Sequence, residues 1–123
     1  MVRSRDKGAS GEREAAHALS VAFGFERARR AQQHSGTETS ADLVVPETPT
    51  LWYEVKRVQR LCVPATMDTA ARQCGDKLPL LVHRRNGGEW LVTMRLKDGP
   101  QVAAALMEGM DAARQYARER CGF

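Results

Sequence analysis

The chain is 123 residues long, the size of one ordinary domain. Hydrophobic residues make up 42% and charged residues 28%, so neither disorder nor low complexity is indicated, and no apolar run approaches the roughly 20 residues that span a bilayer. Lys+Arg is 19 and Asp+Glu 15, a net charge of +4, and 15 of the basic residues are Arg; the planar guanidinium suits bidentate phosphate contacts, so the balance favours a polyanionic partner.

The opening segment, Met1 to Arg13, is charged and lacks the apolar stretch of a secretory leader. The cysteines, Cys62, Cys74 and Cys121, are odd in number with no Cys-x-x-Cys pair. That argues against a disulfide framework or structural zinc, and for a reducing cytoplasm. The chain reads as a single domain, residues 1–9 forming a loose arm.

Ala15, Ala16, Leu19, Ala22 and Phe23 recur at helical spacing, predicting a helix from Ser10 to Phe23 that Gly24 stops. Glu12 falls on its buried face, one turn ahead of the apolar stripe, and Glu14 points elsewhere. Phe25 to Ala31 reads as a strand, Gln32 to Ser40 as a polar loop, and Leu43 to Val45 as a short strand ended by Pro46. Leu51 to Arg57 is the clearest strand. Its period of two sets Leu51, Tyr53 and Val55 on one face and Trp52, Glu54 and Lys56 on the other. A short helix is predicted from Ala65 to Gln73 and a strand from Leu78 to His83. Asn86-Gly87-Gly88 predicts a hairpin turn into a strand from Glu89 to Leu96. Pro100 to Arg120 is a last amphipathic helix. The order αβββαββα predicts an α/β fold, a mixed sheet flanked by helices.

The chemistry concentrates in Glu12, Asp42, Glu54 and Lys56. If Pro46 to Thr50 turns two strands into a pair, Asp42 and Glu54 become neighbours. Two close carboxylates repel each other, and a hard divalent cation relieves that repulsion. Oxygen ligands suit Mg²⁺, with Mn²⁺ able to substitute, rather than zinc. Such a metal polarises a phosphoryl oxygen and acidifies a bound water. Lys56, on the same face, orients that water or stabilises transition-state charge, and Glu12 completes the site from the first helix. Taken singly, each residue has a blander reading: a solvated cross-strand pair, a strand start, a favourable charge at a helix N-terminus. A shared site is the better account of all four together.

Lys7-Gly8-x-x-x-Glu12-Arg13, Ser35-Gly36, Ala41-Asp42-Leu43-Val44 and Glu54-Val55-Lys56, in this order, resemble the PD-(D/E)XK nuclease superfamily. Within it the likeness is to the archaeal-type Holliday junction resolvases and their phage relatives, over roughly residues 7 to 96. The resemblance implies a restriction-endonuclease-like core. It also implies a metal-dependent phosphodiesterase site at Glu12, Asp42, Glu54 and Lys56, with Asp42, Glu54 and Glu12 as metal ligands, and a loop serine at Ser35. The sequence departs from the family pattern at Ala41, where a proline commonly precedes the aspartate.

Around these residues lie basic groups suited to phosphate contacts: Arg27, Arg29 and Arg30 before the loop, Arg57, Gln59 and Arg60 after Lys56, and Arg84 and Arg85 ending a strand. His17 and His34 read as surface. Trp52 and Trp90 read as core, and aromatics at 6% give little basis for a stacking platform. The resulting expectation is a Mg²⁺-dependent endonuclease acting on branched DNA as a homodimer, in the cytoplasm and in a phage or mobile-element setting. The alternatives are a nicking, repair or restriction-like nuclease on duplex or flap DNA, and a non-catalytic basic nucleic-acid-binding module.

Overall fold

The computed structural model describes residues 4–31 and 41–122. Its elements are α1 (Ser4–Phe23), β1 (Arg29–Arg30), β2 (Leu43–Val44), β3 (Leu51–Arg57), α2 (Val63–Gln73), β4 (Leu78–Arg84), β5 (Leu91–Met94), a 3₁₀ turn (Leu96–Asp98) and α3 (Gly99–Cys121). The predicted order αβββαββα is the observed one. The sheet runs β1-β2-β3-β4-β5, with β3 and β4 parallel and every other neighbouring pair antiparallel. This is the mixed α/β architecture of a restriction-endonuclease-like core.

The period-two pattern of β3 decides the layering. Leu51, Tyr53 and Val55 join Leu43, Val45, Leu80 and Val82 in a core that α1 enters through Ala15, Ala16 and Leu19, and α3 through Val102 and Ala113. On the opposite face Trp52 packs beneath Ala70 and Cys74 at the end of α2. The antiparallel steps β2–β3 and β4–β5 are short connections. The parallel step from β3 to β4 needs a crossover, and α2 supplies it. At the β4–β5 hairpin, Gly87 takes φ +71° and Gly88 N donates to Arg85 O at 2.9 Å, the turn that the Asn-Gly-Gly signal predicts. At Gly109 the backbone of α3 lies directly on the β2–β3 turn. An added Cβ would meet Thr48 Cγ2 at 2.6 Å and Glu47 O at 3.0 Å.

The boundaries depart from expectation where context overrides local pattern. α1 begins at Ser4, so the expected loose arm of residues 1–9 is helical from Ser4 onward. Once the docked turns of Glu12 to Phe23 are formed, extending the helix backwards adds one hydrogen bond per residue without a new nucleus. The predicted Phe25–Ala31 strand contracts to Arg29–Arg30. Phe25 is instead fully buried in a turn closed by Ala28 N donating to Phe25 O at 3.0 Å. α2 starts at Val63, taking in Pro64 at its first turn, where a missing N–H costs nothing. β5 ends at Met94, the last residue in register with β4, and Leu96 turns into the 3₁₀ segment. Among the described residues no helix is long and apolar enough to cross a membrane.

Candidate active site

Asp42 stands where three strands meet. Its carbonyl accepts from Ala31 N and its amide donates to Tyr53 O, each at 2.9 Å, so its backbone is held from both sides. Its carboxylate Oδ2 accepts from Val55 N at 2.8 Å, which ties the side chain to β3 beside Glu54. The turn from Pro46 to Thr50 thus makes the strand pair that sequence spacing anticipates, with Leu43 opposite Tyr53.

Glu54 and Asp42 share a hydrogen bond between their carboxyls. Burial pushes Glu54 up to about 7, reinforced by the Asp42 charge and opposed by Lys56. Burial likewise raises Asp42, against the Val55 amide, the Glu54 carboxyl and the Lys56 and Arg30 charges. Both carboxyls therefore keep their protons to higher pH than solvated carboxyls do. Glu12 approaches from α1. Burial and the Asp42 charge raise it, while Arg30 opposes both by donating Nε–H to Glu12 Oε2 at 2.6 Å. The acids thus form a line, Glu12 to Asp42 to Glu54, running from the α1 side of the sheet to the α2 side.

Lys56 and Glu54 face the α2 side together, as the period of two requires. They line a cavity of about 200 Å³ whose far wall is Ala65, Thr66 and Thr69 of α2. Both hydroxyls donate within the helix, Thr66 to Cys62 O at 2.8 Å and Thr69 to Ala65 O at 3.1 Å. Thr69 Oγ1 also accepts from Arg72 Nη2 at 3.2 Å, so Thr66 keeps the greater acceptor capacity for the cavity. Sequence reasoning passed over these threonines. Their spacing of three places them on one helical face, and that is the signal available for finding them.

The expected basic residues divide. Arg30 sits at Glu12, as described. Arg57 and Arg84, in register on β3 and β4, converge on one carboxylate, Glu14. Arg57 Nη1 lies 2.8 Å from Glu14 Oε2, Arg84 pairs with Oε1, and Trp90 Nε1 donates to Oε1 at 3.2 Å. Arg84 above all, with Arg57, holds Glu14 below the usual carboxylate range. Glu14 is a residue sequence reasoning set aside, since nothing local shows that two strand-end arginines meet beneath α1. Arg27 is engaged elsewhere, stacked 4.2 Å over Tyr116 of α3 and 3.8 Å from buried Glu47. Gln59 accepts from Asn86 N at 3.2 Å and fastens the loop after β3 to the hairpin. Arg29, Arg60 and Arg85 are exposed. Ser35 and His34 lie outside the described residues.

A family model, described as "Phage putative PDDEXK endonuclease", matches residues 3–120. The chain belongs to this family. Comparison with curated proteins and with solved structures gives no match. Membership in the phage PDDEXK endonucleases places the chain in the PD-(D/E)XK superfamily and identifies it as a nuclease, one of a group that works with divalent metal ions. Among the described residues no group of three or more Asp, Glu, His or Cys is gathered to hold a metal. Two adjoining carboxyls, both raised by burial, nevertheless fit a hard divalent cation. Mg²⁺ commonly takes one or two carboxylates and fills its remaining positions with water and substrate phosphate.

Proposed function

We propose that this PDDEXK endonuclease is a Mg²⁺-dependent endodeoxyribonuclease, with Asp42 and Glu54 as metal ligands and Lys56 and Glu12 completing the site. The observation that carries the reading is the hydrogen-bonded Asp42–Glu54 pair opening, through Glu54, into the same cavity as Lys56.

A divalent cation at these oxygens supplies phosphoryl polarisation and a water of lowered pKa. The protein's own groups do the rest. The Val55 amide fixes the rotation of Asp42, so its second oxygen has a defined direction. The Lys56 ammonium lies beside Glu54, where it holds a water by hydrogen bonding and favours the extra negative charge of the pentavalent transition state. The Thr66 and Thr69 hydroxyls offer acceptors across the cavity, so a water between β3 and α2 meets a donor on one wall and acceptors on the other. Arg30 balances the charge of Glu12 until substrate and metal arrive.

The motif resemblance to junction resolvases supports branched DNA as the substrate and a twofold homodimer as the acting species, since resolving a four-way junction takes two symmetry-related cuts. The phage family supports action in a host cytoplasm. On the same resemblance Ser35 corresponds to a loop serine that contributes to activity. The test is a panel of four-way junction, flap and linear duplex, each with Mg²⁺ and with EDTA. Preferential, paired cleavage of the junction supports the resolvase reading. Equal or faster cleavage of duplex or flap assigns the site to a nicking or restriction-like nuclease. No cleavage of any member leaves a binding module only.

A further inference from the structure

Beside the acidic line lies a groove of about 480 Å³ between α1 and the β1 edge of the sheet. α1 contributes Arg13, His17 and Ser20, at successive spacings of four and three, which form one helical stripe along its wall. β1 contributes Arg29 and Arg30, and Ala16 and Ala28 complete the lining.

The charge of this groove is partly compensated, by Glu12, which pairs with Arg30 and feels the charge of Arg13. The one carboxylate in its lining, Glu26, is taken by Arg120 at 2.9 Å. Arg13 and Arg29 form no ion pair with a described residue, in contrast to Arg27, Arg57, Arg84 and Arg95, each of which pairs with an acid. At one end, Arg30 reaches Glu12 at 2.6 Å, the first acid of the line that leads to Asp42 and Glu54. The basic groove thus abuts the acidic line at one residue pair, Arg30 and Glu12.

We propose that this groove is the track for the sugar-phosphate backbone of the nucleic-acid strand flanking the scissile bond, with Arg13 and Arg29 gripping successive phosphates. His17 and Ser20 donate to the same backbone from α1. The proposal rests on the nuclease reading for what lies at the end of the track, but the binding itself needs no metal. The grip carries no base recognition, because guanidiniums on phosphates set position and leave sequence unread. A polyanion in this groove also releases its condensed counterions, which makes the contact countable through salt dependence.

The experiment measures binding of a fluorescein-labelled DNA duplex to the full chain in EDTA, over a range of salt. Replacing both arginines (Arg13→Gln with Arg29→Gln) is expected to reduce the slope of log K against log[salt] by about 1.8, roughly 0.9 for each lost phosphate contact. Ser20→Arg is expected to steepen it by about 0.9, a gain that misfolding cannot produce. Arg114→Gln, on the exposed face of α3, is expected to leave the slope as it was. An unchanged slope in the double variant, or no binding by the parent, overturns the proposal. Equal arginine-dependent binding to phosphatidylserine vesicles also overturns it and reassigns the groove to a membrane surface. Mg²⁺-dependent cleavage by the parent is scored separately. Arginine-dependent binding without cleavage keeps the track and removes the nuclease reading, and cleavage with an unchanged slope does the reverse.

Discussion

The carboxyls of Asp42 and Glu54, twelve positions apart in the chain, are neighbours across the β2–β3 pair, where Asp42 Oδ2 accepts from Val55 N at 2.8 Å. Burial raises both groups; the Asp42 charge raises Glu54 further, while the hydrogen bond from Glu54 lowers Asp42. That pairing favours the protonated form of Glu54 in the folded chain, with its carboxyl pushed up to about 7 against 4.5 when solvated. A raised folded pKa contributes stability that is complete below about pH 4.5 and lost as pH rises through about 7. The metal-free chain is therefore expected to lose stability over that window. Glu54→Gln, which keeps a hydrogen-bonding group and cannot ionise, should melt higher than the parent at pH 8 and close to it at pH 4. Thermal melts in EDTA across pH check this.

A divalent cation competes with the proton on Glu54. Mg²⁺ is expected to raise the melting temperature of the parent, by about 2.7 kcal/mol of stability at one hundred times its dissociation constant. The effect should weaken as pH falls below about 7, where Glu54 is protonated. Calorimetry in buffers of different ionisation heat should record proton release on binding. Glu54→Gln should lose most of the Mg²⁺ effect.

Glu14 gathers Arg57, Arg84 and Trp90 and so pins α1 to the ends of two parallel strands. Glu14→Gln leaves two half-buried guanidiniums sharing no carboxylate. Its expected cost is on the order of 1 kcal/mol, at the upper end for a partly exposed pair because three partners share it. The carboxyl of Glu14 is held low, so its contribution is present above about pH 4.5 and lost as pH falls through the lowered folded value. Urea denaturation at pH 7 and at pH 3 should show the parent–variant difference narrowing in acid.

Gly109→Ala drives a methyl group into Thr48 Cγ2 at 2.6 Å, Glu47 O at 3.0 Å and Phe25 Cε1 at 3.1 Å. Helix propensity alone favours alanine by about 1 kcal/mol. Overpacking against backbone in a well-filled contact costs about 1–3 kcal/mol and wins. The variant is expected to melt several degrees lower, with DNA affinity unchanged once folded.

The order of elements and the faces of β3 were legible because both depend on periodicity that burial enforces: apolar Leu51, Tyr53 and Val55 can face the α1 side only if Glu54 and Lys56 face α2. Asp42 as a neighbour of Glu54 was legible from the turn between them. The early start of α1 was not, since a polar segment carries no apolar stripe and its helicity is borrowed from the docked turns that follow. The meeting of Arg57 and Arg84 on Glu14 was hidden for a different reason. It depends on the parallel register of β3 and β4, which pairs residues 27 positions apart and leaves no local trace. Arg27 looked like its neighbours Arg29 and Arg30, yet Tyr116, on the last helix, draws it away.

The most direct test of the central claim is single-turnover cleavage of labelled DNA in Mg²⁺ by the parent and by Asp42→Asn and Glu54→Gln, with binding measured in parallel in EDTA. The expected result is Mg²⁺-dependent cleavage by the parent, a loss of about a hundred- to a thousandfold in each variant, the scale for removing one group that stabilises transition-state charge, and DNA affinity equal to or above the parent's. Cleavage at the parent's rate by either variant would contradict the account.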